Sequence, residues 1–362
     1  MKIGIVDADL LSRAKHRFPN LVCMKLSGYY QEQGHDVSLI RDWAFPTNAY
    51  DKIFISKVFT DTFCPNDWLT LPNVEYGGTG FFYDKAKPLP YEVEHHMPDY
   101  HLYDYYFKRK DLNGNDLKYY RDYSIGFTTR GCIRGCSFCV NQNRKSCEKH
   151  SSVYEFMAED RKYICLLDDN VLACKEWRSV FDELNSTGKR FQFKQGMDER
   201  LLTPEKCKVI FNSRWIGDYI FAFDNIKDKQ LIQSKLDMLR EYTNKVPKFY
   251  CFCGYNHQSP DNYSLEFWKQ DIADLFERIA ILMKYNCLPY VMRYKDYELS
   301  PYRGMYIDIA AWCNQPNFFK KKTFREFIAM RGVAAQKYAD DFEKDCPEIA
   351  YKYYDMRWQK NY

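Results

Sequence analysis

Apolar and polar positions in the first 85 residues alternate between helix-like and strand-like patterns. The segment Asn20–Gly34 places apolar side chains at near-helical spacing and ends at a glycine, which predicts a helix. Short apolar runs predict four strands, at Lys2–Val6, Asp36–Ile40, Lys52–Ser56 and Asn73–Tyr76. Strands that alternate with helical segments indicate a small parallel α/β sheet.

A glycine-rich turn, formed by Gly77, Gly78 and Gly80, follows the fourth predicted strand. Ligands of parallel sheets bind beyond the carboxyl ends of the strands, where residues without a Cβ let the backbone come close to a ligand. Glycines also serve plain turns. The sequence leaves both interpretations of this turn open.

A proline-punctuated, acidic and aromatic stretch, residues 86–122, predicts a linker between two domains. Six further strands are predicted after it, at Ser124–Thr128, Tyr163–Leu167, Arg190–Gln195, Trp215–Phe223, Lys248–Cys253 and Leu288–Arg293. Helical segments are predicted between them, at Lys175–Asn185, Thr203–Asn212, Asp228–Tyr242 and Leu265–Tyr285. This alternation predicts a partial (β/α)6 barrel of the TIM type over residues 123–299, followed by a helical C-terminal cap, residues 300–362.

Composition narrows the class of protein. The net charge is 53 − 49 = +4 with His neutral, which is too small to indicate a polyanion-binding protein from the total alone. The opening M-K-I-G-I-V-D-A-D lacks the features of a secretory signal, and no run approaches the ~18–20 apolar residues of a membrane helix. We therefore expect a cytoplasmic protein without a membrane partner, whose 14 cysteines stay reduced and favour metal, cluster or catalytic use.

The most informative segment is G-F-T-T-R-G-C-I-R-G-C-S-F-C-V-N-Q-N, which comes directly after the first strand of the second series. It places Cys132, Cys136 and Cys139 in a C-x-x-x-C-x-x-C array. Structural zinc usually takes four protein ligands, commonly as two separated pairs, and an iron–sulfur cube usually takes four cysteines. A local set of three can hold a small inorganic centre and leaves one cluster iron open to another ligand. Chance proximity in a cysteine-rich chain is the alternative.

This array, with Phe138 before its last cysteine, resembles the cluster loop of radical-SAM enzymes. The preceding T-T-R-G resembles the subgroup that carries an N-terminal cobalamin-binding-type domain. Segments such as Y-G-G-T-G, I-C-L-L-D-D-N-V-L-A, F-K-Q-G-M-D-E-R-L-L and D-I-A-A-W-C-N-Q resemble uncharacterised bacterial and phage members, so the resemblance covers nearly the whole chain. It implies a Rossmann- or flavodoxin-like domain over residues 1–85 and a radical-SAM barrel over residues 123–299.

The resemblance also implies a role for each matching residue. Cys132, Cys136 and Cys139 would ligate a [4Fe-4S] cluster whose fourth iron binds the amino and carboxylate groups of S-adenosylmethionine. Phe138 would lie along the adenine. Other contacts to S-adenosylmethionine are implied at the ends of the next two strands, by Asp168, Asp169, Asn170, Gln195, Asp198 and Arg200. The Asp and Asn residues could instead cap a helix, and Arg200 could be only an ion-pair partner.

Cobalamin is the point on which this chain departs from the subgroup. The first domain lacks the D-x-H-x-x-G pattern whose His coordinates cobalt, and His35 does not stand in such a motif. The crossovers between its predicted strands are short and contain Pro46 and Pro65, which disfavour long helices. The glycine turn at residues 77–80 would still let a bulky ligand approach. We expect a vestigial cobalamin-type domain that covers the barrel mouth and does not retain cobalamin.

Taken together, these features predict a radical-SAM enzyme that cleaves S-adenosylmethionine reductively and removes hydrogen from a small-molecule or modified-nucleotide substrate. Its electron donor would be a protein such as flavodoxin or ferredoxin. Substrate-side residues are predicted at the end of the sixth barrel strand and in the cap, at Arg293, Tyr294, Trp312 and Asn314, each of which could equally serve packing. The alternatives are a cobalamin-dependent radical methyltransferase and a non-catalytic metal or iron–sulfur module.

Overall fold

A computed structural model describes residues 1–13, 15–259 and 262–359 of the chain. The chain divides into two compact units, Met1–Gln192 and the part that begins at Phe193. Within the described residues, no helix combines the length and the apolar character needed to span a membrane. The four-part division predicted from the sequence stays a prediction.

The first unit opens with a four-stranded parallel sheet in the order β2–β1–β3–β4. Its strands are Lys2–Asp7 (β1), Asp36–Leu39 (β2), Lys52–Ser56 (β3) and Val74–Gly77 (β4). The central strand β1 is apolar and buried, and Ile3, Ile5 and Val6 have no exposed surface. The predicted parallel α/β sheet is confirmed, and each strand end lies within one residue of its predicted position.

The described residues of the first unit form seven α-helices. They are Ala8–Ser12 (α1), Leu21–Glu32 (α2), Asn66–Leu69 (α3), Thr79–Phe82 (α4), Tyr91–Glu94 (α5), Gly114–Arg121 (α6) and Trp177–Ser186 (α7). The side chain of Asn20 caps α2 by accepting hydrogen bonds from the amides of Val22 and Cys23. The strands β2 and β3 are joined through a single 3-10 turn, Thr47–Ala49, and β3 and β4 through the one-turn helix α3. The predicted short crossovers are therefore confirmed.

Tyrosines from the segment after the sheet fill the space beyond the carboxyl end of β1. The Tyr103 hydroxyl donates to Asp7 Oδ2 at 2.8 Å, and the Tyr106 hydroxyl donates to the His16 carbonyl at 3.0 Å. The Tyr120 hydroxyl lies 2.8 Å from His16 Nδ1. Burial raises the pKa of Asp7 to about 7 and lowers the pKa of His16 to about 4. Protein side chains thus occupy a place where parallel sheets usually bind ligands.

The remaining strands of the first unit form a parallel sheet and a small hairpin. The sheet has the order β5–β8–β9, and the hairpin pairs β6 with β7 in antiparallel register. These strands are Tyr123–Gly126 (β5), Thr129–Gly131 (β6), Cys147–Lys149 (β7), Tyr163–Leu166 (β8) and Arg190–Phe193 (β9). The boundary between the two units falls on the last residue of β9.

The second unit contains a three-stranded parallel sheet in the order β10–β11–β12. Its strands are Ile220–Ala222 (β10), Lys248–Cys253 (β11) and Leu288–Arg293 (β12). The predicted strand Trp215–Phe223 was wrong at its start, because Gly217 takes the left-handed backbone conformation with φ of 77°. Parallel strands that alternate with helices confirm the α/β class, whereas closure into a partial barrel stays a prediction.

Eight helices complete the described part of the second unit. They are Pro204–Asn212 (α8), Lys229–Tyr242 (α9), Leu265–Lys284 (α10), Arg303–Cys313 (α11), Pro316–Phe319 (α12), Phe324–Ala329 (α13), Val333–Asp345 (α14) and Pro347–Tyr353 (α15). The helix α10 begins after Ser264, whose hydroxyl accepts a hydrogen bond from the Phe267 amide. The five helices from α11 onward confirm the helical pattern predicted after Ser300.

Candidate functional site

The three-cysteine segment is a loop that the β6–β7 hairpin closes at its base. We call residues 132–146 the cluster loop. Gly131 pairs with Cys147 in the hairpin and has a φ of 99°. A Cβ on Gly131 would lie 2.2 Å from the Ser146 carbonyl oxygen, so no other residue fits there. This glycine therefore sets the position at which both ends of the loop meet.

Accessibility separates the three loop cysteines, together with Cys64, from the other ten. Cys132, Cys136 and Cys139 are half-buried, whereas ten of the other eleven cysteines are buried. Burial raises the pKa of most of those ten thiols, and Cys251 and Cys253 are examples. A thiol whose pKa is raised is a poor source of the thiolate that metals bind. The buried cysteines therefore suit packing, and the loop cysteines suit an inorganic centre.

The arrangement of the three loop cysteines also bears on whether they would bind a zinc ion or an iron–sulfur cluster. Over the described residues, no three His, Cys, Asp or Glu side chains are grouped so that they could hold one metal ion. A zinc ion needs its thiolate sulfurs at about 2.3 Å from a single point. In an iron–sulfur cube each cysteine binds a different iron, so the sulfurs stand farther apart. Three accessible cysteines on one loop therefore fit a cluster better than structural zinc.

Asp168, two residues after β8, holds the strand that leads into the cluster loop. Its carboxylate accepts four hydrogen bonds, from the amide and hydroxyl of Thr128 at 2.9 and 2.6 Å and from those of Thr129 at 2.6 and 2.7 Å. Burial raises the pKa of Asp168 to about 6, and the four donors oppose that shift. These bonds use the acceptor positions of an almost fully buried carboxylate. Asp168 therefore supports the loop, and its contact to S-adenosylmethionine stays a prediction.

Asp169 and Asn170 contact the cluster loop itself. Asp169 accepts from the Gly131 amide at 2.8 Å and from Asn141 Nδ2 at 2.7 Å, which ties the base of the loop to its second half. Asn170 Nδ2 donates to Cys132 Sγ at 3.4 Å. Asn170 Oδ1 is buried and has no hydrogen-bond partner among the described residues.

The helix-cap alternative for this segment is wrong. Asn170 precedes a 3-10 turn, Val171–Ala173, and its side chain makes no capping hydrogen bond there. The carboxylates of Asp168 and Asp169 are directed to the segment 128–141. Three consecutive polar residues after β8 thus each hold a different part of the segment that carries the cysteines.

Replacing Asp169 by alanine is expected to weaken cluster retention as well as ligand binding. The substitution removes both hydrogen bonds between Asp169 and the loop, and bonds to a charged group contribute on the order of 1.5–3 kcal/mol each. Iron and sulfide per chain, measured after anaerobic reconstitution and desalting, should fall below wild type. The control is Asp182→Ala, which removes an exposed carboxylate on α7. Wild-type iron content in Asp169→Ala would contradict the assigned support.

Basic residues surround the base of the cluster loop. Glu94 lies 3.0 Å from Lys25 Nζ, 3.6 Å from His150 Nε2 and 4.0 Å from Arg130 Nη2. Burial lowers the pKa of His150 to about 4, so this imidazole is neutral at physiological pH. The Arg130 guanidinium stacks 3.7 Å from the ring centroid of Phe127. The Glu94 carboxylate is therefore shared by two cations at the base of the loop.

The glycine turn after β4 packs against the chain that follows β3. A Cβ on Gly78 would lie 2.3 Å from the Lys57 carbonyl oxygen, and one on Gly80 would lie 2.7 Å from that of Phe59. Gly77 has open space around it. The chain after β3 therefore approaches Gly78 and Gly80, and a ligand contact by the three glycines stays a prediction. Phe138, in the cluster loop, is half-buried, and its carbonyl accepts a hydrogen bond from Tyr83.

The other residues predicted to bind S-adenosylmethionine lie in the second unit. Gln195 is exposed. Arg200 Nε lies 2.8 Å from Asp198 Oδ1, and its Nη1 lies 2.8 Å from Asp228 Oδ2. The ion-pair interpretation of Arg200 is thereby confirmed, and ligand contacts by Gln195, Asp198 and Arg200 stay predictions.

The predicted substrate-side residues have different environments. Trp312 is fully buried and donates through Nε1 to the Lys322 carbonyl at 3.0 Å. Asn314 pairs with both backbone groups of Val291, at 2.7 and 3.0 Å. These contacts show that Trp312 and Asn314 serve packing, and a substrate contact by them stays a prediction. Arg293 is exposed, and Tyr294 is half-buried, so a substrate contact by these two stays a prediction.

Several residues of the site were not foreseen. Thr128 and Thr129 supply the donors for Asp168, Asn141 completes the contact to Asp169, and Tyr83 and Asp84 contact the loop from the N-terminal sheet. The paired hydroxyls in T-T-R-G were the one available signal, because threonines after a strand can face a carboxylate at the end of its neighbour. The contacts of Tyr83 and Asp84 are too distant in sequence to be predicted from spacing.

Comparison with known proteins gives a fold but no family. No protein-family model and no curated protein matches this chain. The chain is similar to the radical S-adenosylmethionine methyltransferase TsrM from Kitasatospora setae, whose structure holds cobalamin and a [4Fe-4S] cluster. The TM-score is 0.52 at 11% identity, over 81% of this chain and 72% of that chain. The cobalamin-dependent S-adenosylmethionine radical enzyme OxsB matches at a TM-score of 0.34 and 12% identity, over 97% of this chain and 56% of that chain. This likeness is too weak to establish a shared fold. At such low identity the likeness to TsrM establishes the fold alone: this chain shares the α/β fold of TsrM over the matched residues.

Proposed function

We propose that the chain is a radical-SAM enzyme in which Cys132, Cys136 and Cys139 ligate a [4Fe-4S] cluster. The observation that carries this proposal is the set of three accessible thiols on one loop, which Asp168 and Asp169 fix to the end of β8. The shared fold supports it. The chemistry that the bound cofactors would supply is reductive cleavage of S-adenosylmethionine, which yields a 5′-deoxyadenosyl radical that takes hydrogen from a substrate.

In this proposal, side chains of the protein bind and orient S-adenosylmethionine and the substrate. Asn170 Oδ1, buried and without a partner among the described residues, is the acceptor that we assign to the methionine ammonium. Gln195, Asp198 and Arg200 are assigned to the ribose or the carboxylate of the same ligand. Substrate contacts are assigned to Arg293 and Tyr294. The substrate class is a small molecule or a modified nucleotide, and the electron donor is a protein such as flavodoxin or ferredoxin.

Transfer of a methyl group with cobalamin is the alternative reaction. The N-terminal sheet has the parallel order expected of such a domain. Against it stand the short crossovers, the glycine turn closed by the chain after β3, and the tyrosines beyond β1. We therefore expect hydroxocobalamin to wash away from the purified protein on desalting. Cobalamin that co-elutes with the protein in stoichiometric amount, detected by its corrin absorption band, would favour the methyltransferase alternative.

The experiment that tests the proposed function is an assay for 5′-deoxyadenosine. Anaerobically reconstituted protein, reduced with dithionite, should convert S-adenosylmethionine to 5′-deoxyadenosine, measured by liquid chromatography. Cluster absorbance without nucleoside product would indicate a non-catalytic iron–sulfur module. A colourless protein that retains zinc would overturn the cluster assignment.

A further inference from the structure

The N-terminal sheet contacts the cluster loop through the two residues that follow α4. The Tyr83 hydroxyl donates to the Phe138 carbonyl at 2.6 Å. Asp84 Oδ2 accepts from Gln142 Nε2 at 3.0 Å and from Asn143 Nδ2 at 2.7 Å. These contacts hold the loop on both sides of Cys139, the last cysteine of the array.

Tyr83 keeps a backbone conformation that tyrosine rarely adopts. Its φ is 49° and its ψ is −118°, outside the regions that side chains with a Cβ favour. Three glycines lie within six residues before it, at 77, 78 and 80. A bulky residue at a strained position, so close to glycines, points to a role for its side chain.

The position of Tyr83 is set by the N-terminal sheet. The Gly80 amide donates to the Lys57 carbonyl at 2.9 Å, which fixes the start of α4 against the chain after β3. The ring of Phe82 stacks on that of Tyr76 in β4, with centroids 5.7 Å apart and planes 12° apart. Tyr83 therefore follows a helix that is anchored at both of its ends.

We propose that Tyr83 and Asp84 are positioning residues of the S-adenosylmethionine site, through which the N-terminal sheet fixes the adenine side of the cluster loop. This inference rests on the proposed function and on the position along the adenine that the sequence resemblance implies for Phe138. A carbonyl oxygen has two lone pairs, so the Phe138 carbonyl can accept from Tyr83 and still accept from a ligand. The segment 138–143 is then held before the ligand arrives, and binding does not have to order it.

The test compares Tyr83→Phe with Tyr76→Phe in the reconstituted protein. Tyr83→Phe removes only the hydroxyl and keeps the ring and the backbone. Tyr76→Phe removes a hydroxyl from the same segment that makes no contact with the loop. We expect iron content and thermal midpoint at wild-type values in both variants. The dissociation constant for S-adenosylmethionine should rise roughly three- to tenfold in Tyr83→Phe alone, as expected for one lost hydrogen bond.

Asp84→Ala provides a second variant with an independent contact. It removes the shared acceptor of two amides, and its affinity for S-adenosylmethionine should fall in the same direction, again with wild-type iron content. Unchanged affinity in both Tyr83→Phe and Asp84→Ala would overturn the proposal. A loss of thermal midpoint in proportion to the loss of affinity would do the same, because it would indicate a merely structural contact.

Hydrogen exchange of the apoprotein separates this inference from the proposed function. The amides of residues 138–143 should exchange faster in Tyr83→Phe than in wild type, with no cofactor added. If the wild type takes up no cluster, the proposed function fails, and this exchange still tests the contact. Equal exchange in the two apoproteins would show that Tyr83 does not hold the loop.

Discussion

Replacing Cys132, Cys136 or Cys139 by alanine, one at a time, is expected to abolish the cluster. Each thiolate would ligate one iron, and no other accessible cysteine of the described chain lies on this loop to replace it. Visible absorbance, iron and sulfide should all fall to background after reconstitution and desalting. Formation of 5′-deoxyadenosine should be lost with them, because the substitution removes the site of electron transfer.

Two other cysteines provide matched controls. Cys64 has the same intermediate exposure as the loop cysteines, and Cys251 is fully buried. Cys64→Ala and Cys251→Ala should both retain the wild-type iron content. A fall by about half in Cys251→Ala would reveal a second cluster. Full iron and sulfide in all three loop variants would refute the ligand assignment.

Asp7→Asn is expected to make the protein more stable at neutral and alkaline pH. Asp7 is buried, and its pKa is raised from 3.8 to about 7, so the folded state holds a proton that the unfolded state releases. The wild-type chain therefore loses free energy of unfolding as the pH rises from about 4 to about 7. A shift of this size corresponds to at most about 4 kcal/mol.

Comparing Asp7→Asn with wild type separates the effect of Asp7 on stability from that of other titrating groups. Burial lowers the pKa of His16 to about 4, so its stabilising contribution is present above pH 6.5 and is lost as the pH falls towards 4. Both proteins share this contribution. Urea unfolding between pH 4 and pH 8 should show a gap between Asp7→Asn and wild type that widens up to about pH 7 and is then constant. Asp36→Asn, an exposed change in β2, should follow wild type throughout, and a constant gap for Asp7→Asn would contradict the assigned proton.

Local patterns predicted most of the elements but not the contacts between them. The apolar runs that became β1 and β3 are buried on both faces of a parallel sheet, which makes them distinct in sequence. A continuous strand from Trp215 to Phe223 was wrongly predicted, because Gly217 turns the chain between Trp215 and β10. Periodicity thus finds elements where burial is continuous and fails where a single glycine changes the path.

In the candidate site, too, the local sequence pattern was predictable and the contacts between distant residues were not. The spacing of the cysteines predicted the loop, because ligand geometry is recorded in the sequence itself. The roles of Asp168 and Asn314 were not recorded there, since an Asp or Asn at a strand end can bind a ligand, cap a helix or satisfy backbone groups. Only tertiary contacts distinguish these roles. Asp168 contacts Thr128 and Thr129, and Asn314 contacts the backbone of Val291.

The central claim is that three cysteines hold a cluster with one iron open to S-adenosylmethionine. Electron paramagnetic resonance of the dithionite-reduced protein, recorded without and with S-adenosylmethionine, tests it most directly. We expect the signal of a reduced [4Fe-4S] cluster whose g values shift on addition of the ligand, with hyperfine coupling to an 17O-labelled carboxylate. An unchanged spectrum without such coupling, or the absence of any cluster signal, would contradict the account.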